Sequence, residues 1–250
     1  MTIQISSEFP LIHQIAFSSQ PDLYTPNKNS LEIKRQFGEG NYRLWDIEKA
    51  RDFLNLAYPI SVVSTLDCLQ PYAFKSDLAR FCILNYFGGI YADLSVNSVK
   101  TFSTEGRDMV IFRDGNSDRT SWKVANSFFF SKPNNPILNE AIEQIISNVR
   151  NKYYGHDPHF PTGPSVFGRA INKYGTKVDL LVGQYWWFKY QKNKYVLPGG
   201  QVVARHKRGG ANKGGNSGVL AGNNYNEIWA ARMVYGEIQA GDTTSPPASK

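Results

Sequence analysis

The chain has 250 residues, 41% of them hydrophobic and 14% aromatic, enough apolar material for one large α/β domain and too much for wholesale disorder. Its formal charge of +7 and isoelectric point near 9.3 favour acidic partners such as nucleotide phosphates or an anionic membrane surface. No run of 18 apolar residues exists to span a bilayer, and Cys68 and Cys82 alone make neither a disulfide scaffold nor a structural zinc site. The opening MTIQISSEFPLIHQIAF lacks the basic start and continuous apolar run of a signal peptide, so the expected location is cytoplasmic, with peripheral membrane association as an option.

In chain order, the apolar stretch Leu11–Phe17 predicts a buried first strand, and Tyr42–Trp45 a second. Asp46 fits a helix N-cap, with Glu48 and Lys49 in the first turn of a helix running to about Tyr58. In Tyr72–Phe87, the residues Phe74, Leu78, Phe81, Cys82 and Tyr86 recur at helical spacing and predict one buried face. Gly88-Gly89 stops that helix, because glycine readily adopts the left-handed conformation needed at a C-terminus.

Ile90–Leu94 follows as a strand that carries Asp93 near its end. Met109–Arg113 and Asn126–Ser131 are further strands, and Ile137–Val149 is an amphipathic helix. Tyr153–Ser165 reads as an ordered loop and Ser165–Tyr174 as a short helix. Residues 199–224, rich in glycine, asparagine and basic side chains, read as a mobile loop, and 241–250 as a disordered tail. Strands alternating with helices predict an α/β fold with a central mixed sheet, organised as one domain over 1–240.

Asp77 and Arg80, three residues apart, share a helix face; taken alone, this spacing describes an ordinary surface ion pair. The strand that follows changes the reading, because a carboxylate at a strand's carboxyl end is where open α/β sheets place ligand groups. If the segment stays extended, Asp93 and Ser95 point to one side, with Asn97 continuing the same face. One carboxylate and one hydroxyl can help hold a divalent cation that bridges phosphates, although with less charge than two carboxylates. His206, within the basic Arg205–Arg208, reads either as a clamp or metal ligand at a diphosphate, or as part of a solvated loop. His156 and His159 read as loop residues rather than ligands, and Tyr185-Trp186-Trp187-Phe188 as core rather than a sugar-stacking platform.

The block S-D-L-A-R-F…N-Y-F-G-G-I-Y-A-D-L-S resembles the sugar-nucleotide region of the DXD-type glycosyltransferases of family 32. Flanking pieces agree in order: Ile12-His13-Gln14-Ile15, Tyr42–Asp46, Asn126-Ser127-Phe128 with Lys132–Pro136, Thr162-Gly163-Pro164, and, faintly, Ala204-Arg205-His206. The resemblance spans about residues 9–210 and implies a GT-A-type nucleotide-diphospho-sugar transferase fold.

It also implies that Asp77 and Arg80 bind hydroxyls of the donor sugar, that Asp93 contacts the ribose or sugar, that Asp93 and Arg80 are the catalytic residues, and that Asp93, Ser95 and His206 are the metal ligands. His13 and Gln14 would lie near the nucleotide, and Thr162, Gly163 and Pro164 on the acceptor side. The expected activity is transfer of a hexose from a nucleotide-sugar donor to a carbohydrate acceptor, with retention, in polysaccharide or glycoconjugate synthesis. The cofactor implied is a divalent cation, Mn or Mg. The departure is Ser95, which stands where the motif has its second aspartate, so a catalytically impaired sugar-nucleotide-binding protein is the alternative. A nucleic-acid role through Arg205–Lys213 is disfavoured, since that segment has no interleaved aromatics.

Overall fold

The computed structural model of the chain describes residues 10–18, 27–100, 102–104, 106–114, 122–208 and 223–237. The elements in order are β1 (Ile12–Ile15), α1 (Lys28–Phe37), β2 (Tyr42–Trp45), α2 (Ile47–Ala57), α3 (Ile60–Cys68), α4 (Tyr72–Phe87), β3 (Gly89–Ala92) and β4 (Val96–Val99). They continue with β5 (Met109–Asp114), β6 (Val124–Ser131), α5 (Pro136–Arg150), α6 (Pro164–Tyr174), β7 (Leu180–Trp186), β8 (Lys192–Val196), β9 (Val202–Arg208) and α7 (Tyr225–Ala230). The predicted central mixed sheet with flanking helices is what the chain forms. The strands make one sheet in the order β2-β1-β3-β6-β5-β7-β8-β9-β4. β1 runs parallel to β2 and β3, β5 parallel to β7, and the remaining pairings are antiparallel.

This order forces the sheet to curl. β3 and β4 stand six strand spacings apart, roughly 29 Å if the sheet were flat. Yet only Asp93, Leu94 and Ser95 separate them, a reach of about 14 Å. The β7–β8–β9–β4 end therefore folds back towards the end of β3. One apolar cluster fills this curl, with Phe112, Phe128 and Tyr195 in mutual ring contact. The second lies between the sheet and helices α2 to α6, around Leu78, Phe81, Phe129 and Phe167.

The local rules hold where the sequence stated them. The side chain of Asp46 accepts from Lys49 N at 2.8 Å and caps α2. Gly88 and Gly89 have φ of +66° and +102°, and a Cβ on Gly89 would lie 2.4 Å from the carbonyl oxygen of Leu11. The turn from α4 into β3 thus requires glycine twice over. α4 departs from the expected single buried face: Ser76–Asn85 are all buried, because sheet, α3, α5 and α7 surround the helix.

Three further expectations are corrected. The segment 199–224 is not a loop throughout, since Val202–Arg208 is a strand between β8 and β4; 209–222 lie outside the described residues, as does the 241–250 tail. Asp93–Ser95 is not extended but a turn, closed by Val96 N donating to the Asp93 carbonyl at 2.9 Å. Trp186 and Trp187 are not core, being 53% and 43% exposed. Among the described residues, no helix is long and apolar enough to cross a membrane.

Candidate active site

The carboxyl ends of β1 and β3, the start of β6 and the loop before α6 converge on Arg80 and its partners Asp77 and Asp93. Its guanidinium is buried and donates through Nε to the Ser76 carbonyl (3.1 Å) and through Nη1 to the Asn126 carbonyl (2.8 Å). Nη2 lies 3.1 Å from Asp77 Oδ1, Nη1 lies 3.3 Å from Asp93 Oδ1, and the group sits 4.5 Å over the Tyr91 ring. The Asp77–Arg80 pair is therefore no surface pair. Removing two charges from water is unfavourable unless their remaining polar atoms find partners, and here all three guanidinium nitrogens and both Asp77 oxygens do. Asn126 Nδ2 donates to Asp77 Oδ1 and Thr162 Oγ1 to Oδ2, each at 2.8 Å. Burial raises the Asp77 pKa above its usual value, with Arg80 and Thr162 opposing the shift. Burial also pulls on the Arg80 pKa, but the flanking Tyr91, Asp93 and Asp77 outweigh it and leave the guanidinium firmly charged.

Thr162 thus ties the loop before α6 to α4. Gly163, buried, precedes Pro164, which occupies the first turn of α6, where proline's missing N–H is no loss. The three residues expected on the acceptor side are grouped with Asp77, and Thr162 spends its hydroxyl on it.

Asp93 is the open member of the cluster. Tyr91 Oη donates to its Oδ1 at 2.6 Å, while its backbone N–H bonds the Ser127 carbonyl at 2.8 Å. Gln14 Nε2 donates to the Asp93 carbonyl at 3.3 Å while Gln14 Oε1 accepts from the Tyr42 hydroxyl at 2.9 Å, so β1 and β2 jointly fix the turn. Asn27 Nδ2, at the start of α1, donates to the Leu94 carbonyl at 3.2 Å and pins it from the other side.

His13 faces the interior. Trp45 Nε1 donates to its Nδ1 at 3.2 Å, which leaves the ring proton on Nε2 to donate to the Gly88 carbonyl at 3.1 Å. Burial lowers its pKa to about 3. The ring is a neutral strut joining β1, β2 and the α4–β3 turn, so only backbone remains for the nucleotide contact expected of it.

Ser95 and His206 meet because the sheet curls. His206 is buried on β9, paired with Val96, and its Nε2 lies 2.7 Å from Ser95 Oγ; the solvated-loop reading of His206 is thus overturned. A chain of bonds behind it sets the direction of the protons. Phe188 N–H donates to Asn193 Oδ1 (2.8 Å), so Asn193 Nδ2 donates to Tyr185 Oη (2.7 Å). The Tyr185 hydrogen then faces His206 Nδ1 at 3.3 Å, which places N–H at Nε2, towards Ser95 Oγ. Ser95 keeps its own O–H to offer outward.

The donor set bears on the expected cation. Among the described residues there is no group of three His, Cys, Asp or Glu side chains that could hold a metal, and His156 and His159 form none. The segment Asp93–Asn97 supplies one carboxylate, one hydroxyl and the amide oxygen of Asn97, which is buried with no hydrogen-bond partner. Hard divalent cations take such oxygens and commonly complete their shell with substrate phosphates and water. The residues therefore fit a cation that arrives with a diphosphate, not a closed protein cage.

Spacing arguments passed over several residues that shape this site. Tyr91 stands two residues before Asp93 on one strand face, and that periodicity was the available signal. Asn126 stood only as part of the Asn126-Ser127-Phe128 motif, without a role, while Tyr185 and Asn193 reach the site only through tertiary pairing, which no local pattern announces.

Comparison with known proteins bears on the same region. Residues 18–116 match the family model described as "Glycosyltransferase sugar-binding region containing DXD motif". An uncharacterized glycosyltransferase of Acanthamoeba polyphaga mimivirus is 26% identical over 174 residues, covering 66% of this chain. The chain spans 64% of that relative's length. Among solved structures, the PaToxG glycosyltransferase superposes with a TM-score of 0.46 at 20% identity, covering 66% of this chain and 69% of that one. A UDP-bound glycosyltransferase domain from the YGT toxin gives 0.36 at 12%, covering 61% and 54%. The matched segment encloses Asp77, Arg80 and Asp93, so the similarity to glycosyltransferases falls on the candidate site.

Proposed function

We propose that the chain is a DXD-type glycosyltransferase of the family 32 kind, with a GT-A-type fold and a variant D-x-S motif. It transfers a hexose from a nucleotide-diphosphate sugar to a carbohydrate hydroxyl, with retention, in polysaccharide or glycoconjugate synthesis. The observation that carries this reading is the Asp77–Arg80–Asp93 cluster within the matched sugar-binding region. A permanent cation is fixed there by four polar contacts and an aromatic face, with one carboxylate left at the surface.

Preorganised charge accelerates group transfer because it needs no reorganisation as charge develops. In this reading Arg80 and Asp93 orient the donor sugar, and Asp77 fixes the guanidinium without itself facing solvent. Ser95 Oγ–H, aligned by His206, donates to an oxygen of the departing diphosphate. Asp93, with Ser95, would hold a divalent cation, Mn or Mg, which would supply further positive charge for that leaving group. Gln14 and Asn27 hold the backbone that carries Asp93, so a small displacement of either loosens the geometry on which rate depends.

The test is sugar release and transfer from a panel of uridine and guanosine diphosphate sugars with Mn and Mg. At least one donor is expected to turn over, and Asp93→Ala to abolish it. No turnover with any pairing overturns the reading. The presence of Ser95 favours a second reading, a protein that binds the donor without turning it over. It predicts calorimetric binding by the unmodified chain, with metal-dependent turnover only in Ser95→Asp.

A further inference from the structure

The β7–β8 hairpin turns through residues 187–191, and its tip is rigid by construction. The inward-facing, buried Asn193 accepts from the Phe188 N–H, and β7 and β8 pair Trp186 with Lys194. The aromatic side chains around this tip are consequently held outward: Trp186 is 53% exposed, Trp187 43% and Tyr190 69%. Trp186 stacks on Phe188 with ring centroids 6.5 Å apart and an interplanar angle of 17°. Lys194 Nζ sits 5.3 Å over Phe188, Lys189 Nζ lies 5.3 Å over Tyr190, and Lys192 is exposed.

The segment that carries this tip is also basic. Residues 180–208 contain six Lys and Arg and no Asp or Glu, so they account for six of the seven net positive charges of the chain. Exposed Trp and Tyr beside Lys match the chemistry of a bilayer's interfacial zone, where amphipathic rings settle at headgroup depth and cations meet lipid phosphates. Two alternatives fit less well. A neutral glycan stacked on the tryptophans carries no charge to complement the basic side chains around them. Single-stranded nucleic acid needs a groove that tracks its backbone, whereas this is a short projecting turn.

We infer that the tip of the β7–β8 hairpin docks the protein on an anionic lipid surface, with Trp186, Trp187 and Tyr190 entering the headgroup region and Lys189 and Lys192 contacting lipid phosphates. Because β7 also carries Tyr185, whose hydroxyl reaches His206, the docked surface adjoins the candidate active site. This inference stands apart from the enzymatic reading and is tested without turnover.

The full chain is sedimented with vesicles of phosphatidylcholine alone or with about one third phosphatidylglycerol. Binding to the anionic vesicles is expected, with a blue shift of tryptophan emission and release by high salt. The triple substitution Trp186→Ala, Trp187→Ala, Tyr190→Ala should lower the partition coefficient at least tenfold. Lys189→Gln with Lys192→Gln should cost roughly fivefold per lysine on anionic vesicles and nothing on neutral ones. Unchanged melting temperatures confirm that these exposed substitutions leave folding intact. Absence of binding to anionic vesicles, or binding that survives both sets of substitutions, overturns the inference. So does tryptophan quenching by a soluble oligosaccharide or oligonucleotide in a chain that ignores vesicles.

Discussion

Asp77 and Asp93 both lie against the guanidinium of Arg80, yet one is sealed and the other open. The Asp77 side chain is 11% exposed and has protein donors on both carboxylate oxygens, whereas the Asp93 side chain is 30% exposed and meets Tyr91 and Arg80 through Oδ1. The sealed half is framework: it fixes a charge at a defined point. The open half has a carboxylate oxygen and an outward-facing hydroxyl left for a ligand. The contrast teaches that a shared ion-pair network can divide into a part whose loss unfolds and a part whose loss disarms.

The largest expected effect tests the sealed side. Arg80→Met leaves the buried Asp77 carboxylate without its cation and should destabilise the fold by about 3–5 kcal/mol, read by denaturant unfolding. A loss below about 1 kcal/mol would show that water reaches Asp77 and would break the comparison.

His13, buried in the same framework, sharpens it through pH. Its native pKa of about 3 lies below the ordinary value of 6.5, so the unfolded chain binds the proton first as pH falls. Its contribution is fully present above pH 6.5 and is lost progressively on acidification, by about 3 kcal/mol at pH 4. His13→Gln should unfold less steeply with falling pH between 6.5 and 4 than the unmodified chain.

The open side should respond in the opposite manner. Asp93→Asn is expected to lower turnover roughly 100-fold while moving unfolding by about 1 kcal/mol or less. A loss of stability as large as that of Arg80→Met would erase the distinction between the halves. The smallest effect belongs to Tyr185→Phe, which removes the hydroxyl behind His206. Turnover should fall about tenfold through lost alignment of Ser95. Asn193→Ala should do the same, since both act on one chain of bonds.

Much of the framework was legible in the residues. Asp46 announced its helix, Gly88-Gly89 its turn, and the apolar spacing of Ile137–Val149 its buried face. The helices Lys28–Phe37 and Ile60–Cys68 were passed over, the first being mostly polar and the second short and lacking a capping side chain. The strands Lys192–Val196 and Val202–Arg208 were missed because glycines and lysines mask a β pattern that only pairing stabilises.

The sequence by itself determined which chemistry is present: Asp77 and Arg80 three apart on a helix, a glycine-forced turn, and a carboxylate at the end of the next strand. These are local relations, fixed by the period of a helix and the alternation of a strand. Only the tertiary structure decided which carboxylate is buried and that His206 belongs to Ser95. Burial depends on what packs against a helix from all sides, and the Ser95–His206 contact depends on a sheet curled by the three-residue link from β3 to β4. Neither is encoded in any short stretch of chain.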